Sequence, residues 1–226
     1  MTVFERLKES LGREGVGATL VKVYALVLDY WFDFRHGTDT CAGLELSDLT
    51  IKSENKDKGC AYRPTRVLPL RKFLAAIKPL LPKASVLVDF GSGKGRVLLV
   101  ASEFGFREVH GVEFAHELCE IAEKNCAAYA AKSGTAARFR VVEADASKYP
   151  IQSDENVFFL YNPFDASIVA QVISNMAASL QAHPRKIFIA YLNPRCAPAV
   201  EQRTEFARLK EMNFWGNHFI VYASRD

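Results

Sequence analysis

The run Val86-Leu87-Val88-Asp89-Phe90-Gly91-Ser92-Gly93-Lys94-Gly95-Arg96 constrains the fold of this chain more than any other stretch. A short β-branched apolar segment closes on an acid and a glycine loop, and Val97, Leu98, Val100, Ala101 and Phe104 follow at helical spacing. That order reads as a buried strand, a tight turn and a helix. Gly91 and Gly93 have no Cβ, so the backbone can take positive φ and approach a ligand closely, while the unpaired N–H groups at the helix start favour a carboxylate or phosphate. The glycines run G-x-G-x-G directly behind Asp89, which departs from the G-x-G-x-x-G spacing of dinucleotide sites.

The alternation that a parallel sheet requires continues downstream. Glu108–Glu113 is a second short strand ending in an acid, 24 residues beyond Asp89 (113 minus 89), where a carboxylate is placed to accept hydrogen bonds from ribose hydroxyls. After a helix over 116–132, the stretch 137–146 reads as a third strand with Asp145 near its end. Residues 156–161 form a strongly apolar fourth strand that delivers Asn162-Pro163-Phe164 to the same edge. A helix over 166–181, a strand over 186–191 followed by Asn193-Pro194, a short helix, and strands near 206–210 and 219–222 complete the pattern. The expected fold is a doubly wound α/β sheet, mostly parallel and seven-stranded. Its strand carboxyl ends form one edge, where open α/β sheets bind ligands.

Residues 1–60 differ in character and predict a helical extension or cap, with the main domain over 61–226. Leu20, Tyr24, Val27, Trp31 and Phe34 recur at three- and four-residue steps, with Lys22, Asp29 and Asp33 on the opposite side. This amphipathic helix is expected to pack on the domain through its apolar stripe, with a membrane-surface or partner-binding helix as the alternative, and its charges argue against a transmembrane span. His36 reads as structural. Pro64 opens a further helix carrying Val67, Leu70, Phe73, Leu74 and Ile77, for which Thr65 is a candidate cap. The net charge of +3 comes without a long basic run, so no dedicated nucleic-acid surface is expected, although nucleic acid is not excluded as a substrate. Five scattered cysteines with no C-x-x-C pair argue against a disulfide framework and a zinc site, so no metal is expected. With no secretory signal at its start, the chain is expected in the cytoplasm.

Asp89-x-Gly91-x-Gly93-x-Gly95 after the first strand resembles the first motif of class I S-adenosylmethionine (SAM)-dependent methyltransferases. Together with Phe32-Asp33-x-x-x-Gly37-Thr38-Asp39-Thr40, Tyr62-x-Pro64-Thr65, Gly111-Val112-Glu113-Phe114 and Tyr161-Asn162-Pro163-Phe164, nearly the whole chain resembles an uncharacterised bacterial group of that class. The resemblance implies SAM as cofactor and S-adenosylhomocysteine as product. Asp89 would face the amino end of the methionine, and Gly91 and Gly93 would line it. Glu113 would hold the ribose, Asp145 the adenine amino group, and the Ala146 backbone the ring. Tyr62 and Thr65 lie where several such enzymes close over the methionine end. Asn162-Pro163-Phe164 resembles the Asn/Asp-Pro-Pro-Tyr/Phe motif of enzymes that methylate amino nitrogens, with one proline in place of two. There Asn162 would orient the acceptor and also touch the cofactor, Pro163 would fix the turn and Phe164 would wall the acceptor, with Pro163, Phe164 and Tyr62 as the substrate-binding residues; a turn in which Asn162 bonds only backbone is the competing reading. The expected function is methyl transfer to an amino nitrogen of a protein side chain or small molecule. The alternatives are an O- or C-directed methyltransferase, a NAD-type oxidoreductase and a non-catalytic nucleotide-binding module.

Overall fold

A computed structural model describes residues 3–44, 49–51, 53–55, 62–162 and 164–225, with backbone alone for 3–11, 13 and 14. Six α-helices appear among these residues: α1 (Val3–His36), α2 (Val67–Ile77), α3 (Arg96–Ala101), α4 (His116–Ser133), α5 (Ala166–Ala182) and α6 (Ala197–Glu201). Seven strands run in chain order as β1 (Val86–Phe90), β2 (Glu108–Glu113), β3 (Arg138–Glu143), β4 (Glu155–Leu160), β5 (Phe188–Leu192), β6 (Phe206–Phe214) and β7 (Asn217–Ser224). They form one sheet in the order β3-β2-β1-β4-β5-β7-β6. The first five pair in parallel, and β7 enters antiparallel between β5 and β6. The doubly wound seven-stranded sheet expected from the sequence is therefore the observed one.

β1 is buried along its whole length because helices cover both faces of the sheet, which is why it reads as an unbroken apolar run. One face packs under α2, α3 and α4, where Phe73 stacks on Phe219 with ring centroids 4.2 Å apart. The other face packs under α5, through Val169, Val172, Ile173 and Met176 against Phe158 and Ile189. The strand order reverses direction between β1 and β4, which opens a crevice at their carboxyl ends.

The N-terminal helix is docked the opposite way round from expectation. Asp29 and Asp33 face the domain, with Ala25, Phe32 and His36, whereas Leu20, Tyr24, Val27, Trp31 and Phe34 are all exposed, Phe34 to 84%. The reason is that the acids have buried partners. Asp29 accepts from the Val67 N–H (2.9 Å) at the start of α2 and from Arg66 (2.7 Å). Asp33 accepts from the backbone N–H groups of Thr40 and Cys41 and from the hydroxyls of Thr38 and Thr40. Burial alone would raise the Asp33 carboxyl, but hydrogen bonds led by those from Thr40 and Thr38 outweigh it and hold the group below its ordinary value. Within Gly15–His36 an 18-residue window has a mean hydropathy of 1.2, so by length and composition alone the segment is apolar enough to cross a membrane, which corrects the reading of it as too charged for a span. His36 has the structural part expected of it: its Nδ1 bonds the Phe32 carbonyl (2.9 Å), and its ring lies against Phe32 and Tyr129.

Candidate active site

A cavity of about 520 Å³ opens at the carboxyl ends of β1, β2 and β4, within the size range of small-molecule sites. The glycine loop forms its floor. Gly91, Gly93 and Gly95 have φ of 76°, 53° and 84°, values an L side chain rarely adopts. Gly93 has a second reason to be glycine: a Cβ there would lie 2.2 Å from the Tyr62 ring. Tyr62 in turn donates to the Thr40 carbonyl (2.9 Å), so the lead-in to α2 lies directly on the loop.

Two acids meet at this floor in different states. Glu113 accepts from the N–H of Gly93 (2.9 Å) through Oε2 and from those of Phe114 (3.0 Å) and Ala115 (3.1 Å) through Oε1, tying the loop to the β2–α4 turn. Burial raises its pKa, and these backbone bonds oppose the rise. Asp89 lines the same cavity, is 3% exposed, and has no hydrogen-bond or ion-pair partner among the described residues. Burial first, and the Glu113 charge second, push the Asp89 carboxyl well above the usual carboxylate range. A buried carboxylate without a partner is costly, and a cationic ligand would relieve it. An anionic pyrophosphate would meet two acids here.

The loop's basic residues are held by the N-terminal segment, although Arg96 also lines the cavity. Arg96 is buried, donates from Nε to Thr40 Oγ1 (2.7 Å), and lies 3.5 Å from Asp29 and 3.6 Å from Asp33. Lys94 pairs with Asp39 (2.9 Å), and Asn125 bridges the Lys94 and Asp39 carbonyls. The Gly-Thr-Asp-Thr segment and the Lys-Gly-Arg end of the glycine motif are thus halves of one contact. Sequence reading singled out both but had no signal that paired them.

The remaining candidates divide. Tyr62, Thr65, Asn162 and Phe164 line the main cavity with Asp89, Gly91, Gly93 and Glu113. Thr65 makes no side-chain cap on α2, the role Asp29 fills from α1; its carbonyl accepts from Arg96 (3.3 Å). Asp145 lies apart, in an adjoining cavity of about 230 Å³ that shares Phe114 with the main one. Its Oδ1 accepts from the Ser147 N–H and hydroxyl, and its Oδ2 accepts from the Ser53 hydroxyl (2.6 Å) and Asn55 Nδ2 (2.7 Å). Burial opposes ionisation, but these bonds, that from Ser53 foremost, hold the pKa down at about 2. Ala146 is buried beside it. Pro163 lies outside the described residues.

Asn162 sits in the left-handed region at φ 43° and is knitted to the second Asn-Pro turn. Its Nδ2 donates to the Asn193 carbonyl (2.6 Å), and its Oδ1 accepts from the Arg195 N–H (3.2 Å). One Oδ1 lone pair stays available. Arg195 and Arg63 also line the cavity, and neither guanidinium has a partner among the described residues. Sequence reading passed over both, for want of any local motif. No group of three or more histidine, cysteine or acidic residues able to hold a metal occurs among the described residues.

The family model for "Histone methylation protein DOT1" matches residues 70–137, from within α2 to just beyond α4, which is less than half of the chain. No curated protein matches the sequence. Among solved structures, an RNA methyltransferase from Salinibacter ruber in complex with S-adenosyl-L-homocysteine superposes with a TM-score of 0.52 at 18% identity, over 72% of this chain and 94% of that one. A ribosomal protein L11 methylase from Lactobacillus delbrueckii subsp. bulgaricus gives 0.50 at 16%, over 71% and 79%. Magnesium protoporphyrin IX methyltransferase (ChlM) from Synechocystis PCC 6803, with bound SAM, gives 0.51 at 13%, over 71% and 78%. The fold is that of the class I methyltransferases. The acceptors named for these three proteins range from RNA to a ribosomal protein to a porphyrin, so the methyltransferase fold does not name the acceptor.

The comparison corrects one expectation. The charge pattern predicts no dedicated nucleic-acid surface, yet an RNA methyltransferase stands among the structures of this fold. The physical reason is that a low net charge and the absence of a basic run describe the chain, whereas a substrate meets only the rim of one cavity. Arg63 and Arg195, 132 positions apart (195 minus 63), converge at that rim.

Proposed function

We propose that this chain is a SAM-dependent methyltransferase acting on an amino nitrogen. The observation that carries the reading is Asp89: a buried carboxylate without a partner among the described residues, beside a left-handed glycine loop, at the topological switch point of the sheet. It fits the α-ammonium of an amino-acid-bearing cofactor. Asp89, Gly91, Gly93, Thr65 and Glu113 would hold the cofactor, and the matched family model and the structural relatives that bind SAM or its product support the assignment. Bound SAM supplies an electrophilic methyl group on a sulfonium.

The protein's own task is to align the acceptor and exclude water. Tyr62 covers the loop, Phe164 meets Phe114 edge-on with centroids 6.4 Å apart, and the free lone pair of Asn162 Oδ1 can accept from an acceptor N–H. Arg63 and Arg195, unpaired among the described residues, favour an anionic acceptor, and we take nucleic acid as the class they fit best. The test is labelled SAM incubated with the protein and separated RNA, protein and small-molecule fractions, with label expected in RNA. On the acceptor so found, Asn162→Ala should leave SAM affinity within a few-fold while slowing transfer by about 10²-fold, the scale of a lost orientation. An unchanged rate would leave Asn162 a turn residue and remove the amino-nitrogen assignment.

A further inference from the structure

The outer face of α1 is arranged as lipid-facing helices are. From Gly15 onward its two acids are buried, Asp29 to 1% and Asp33 to 8%, and both are satisfied by the domain. Leu20, Tyr24, Val27, Tyr30, Trp31 and Phe34 stand in solvent, each at least half exposed. Polar side inward and apolar side outward inverts the usual rule for a helix covering a domain in water. It is the rule for a helix in contact with lipid, where ionisable groups turn towards protein and find partners. Of the ten large apolar residues exposed among the described residues, seven lie between Val16 and Phe34, so the patch is local and contiguous.

The charge flanking the apolar stripe specifies the partner further. Arg35 is exposed beside it and is basic, whereas Lys22, also exposed, lies on the side of Asp29 and Asp33. The Arg35 guanidinium lies 5.5 Å from the Trp31 ring centroid, pairing a cation with an amphipathic aromatic as at membrane interfaces. The most apolar 18-residue window of this helix is apolar enough to enter a bilayer and only 17% buried, unlike a core helix that passes the same test. It cannot span one while docked as described, because Asp29 and Asp33 are held against Arg96 and the start of α2. The geometry points to a helix lying in the plane of the interface, with its apolar side in the acyl boundary and Arg35 at the headgroups.

We propose that α1 docks the protein on the surface of an anionic phospholipid membrane through Leu20, Tyr24, Val27, Trp31 and Phe34. This does not depend on the reaction the cavity performs. The test uses the full chain with vesicles of phosphatidylcholine alone and of phosphatidylcholine with phosphatidylglycerol. The expected result is co-sedimentation with the anionic vesicles at least tenfold above the neutral ones, and a tenfold loss in the triple variant L20S/V27S/F34S. Trp31 is one of two tryptophans, so in a Trp215→Phe background its emission should shift to the blue and be quenched by brominated anionic lipid. That readout needs no change to the patch and decides the matter even where the triple variant fails to fold. Protein that stays in the supernatant with unquenched Trp31 overturns the proposal. So does vesicle binding that the triple variant keeps in full. A stable dimer that the triple variant dissolves, with no vesicle binding, would assign the face to a second copy of the chain instead.

Discussion

Asp89 and Asp145 stand at the ends of neighbouring parts of one sheet edge, and the N-terminal segment treats them in opposite ways. Behind Asp89, residues 29–41 brace the glycine loop through Arg96 and Lys94, and they leave the carboxylate open to the cavity. At Asp145, Ser53 and Asn55 come down on the acid itself and occupy one of its oxygens. The difference separates a preformed subsite from a covered one. A ligand cation can meet Asp89 with no protein bond to break, whereas an adenine amino group reaching Asp145 has to displace two side-chain donors, each net hydrogen bond being worth about 1 kcal/mol.

The largest effect should come from removing the brace. Arg96→Met leaves Asp33 buried without its counter-charge, while Asp29 keeps Arg66, and losing one partner of a buried ion pair costs about 3–5 kcal/mol. Denaturant unfolding measures this. A loss below about 1 kcal/mol would mean that α1 and the loop are not one unit.

Asp89→Asn sharpens the contrast next. It should weaken binding of S-adenosylhomocysteine by about 10- to 100-fold, the scale of a hydrogen bond to a charged group. It should also stabilise the ligand-free protein. A carboxyl whose folded pKa is raised contributes stability below its unfolded pKa and loses it as pH rises through the folded value, so the gain in melting temperature should be larger near pH 8 than near pH 5. For the same reason the wild-type protein should bind the cofactor more weakly as pH falls and release a proton on binding. Calorimetry in buffers of different ionisation enthalpy reads both, and a pH-independent affinity would contradict the assignment of the ammonium to Asp89.

The smallest effect probes the covered end. Ser53→Ala with Asn55→Ala frees Asp145 Oδ2, and affinity should tighten by about two- to fivefold where the loop competes with the ligand. A weakening would make Ser53 and Asn55 part of the site and erase the contrast with Asp89.

What was legible in the sequence was local. The strand, glycine loop and helix over 86–104, and the acids at 89 and 113, follow from backbone sterics and period, and the structure has them where the pattern put them. The docking of α1 was not legible, because periodicity finds two faces but not which of them meets water. That depended on Arg96, about 60 positions beyond Asp29 and Asp33, and on the open end of α2. The Ser53 and Asn55 contacts with Asp145, and the convergence of Arg63 with Arg195, are likewise long-range and carry no local code.

The central claim is that the cavity beside Asp89 takes a cofactor bearing an ammonium group and not a dinucleotide pyrophosphate. Isothermal titration of the wild-type chain with S-adenosylhomocysteine and, separately, with NAD tests it most directly. The account predicts saturable one-site binding of S-adenosylhomocysteine with a dissociation constant of about 1–100 μM, near −8 to −5 kcal/mol, and no heat from NAD. Saturable NAD binding with no heat from S-adenosylhomocysteine would contradict it.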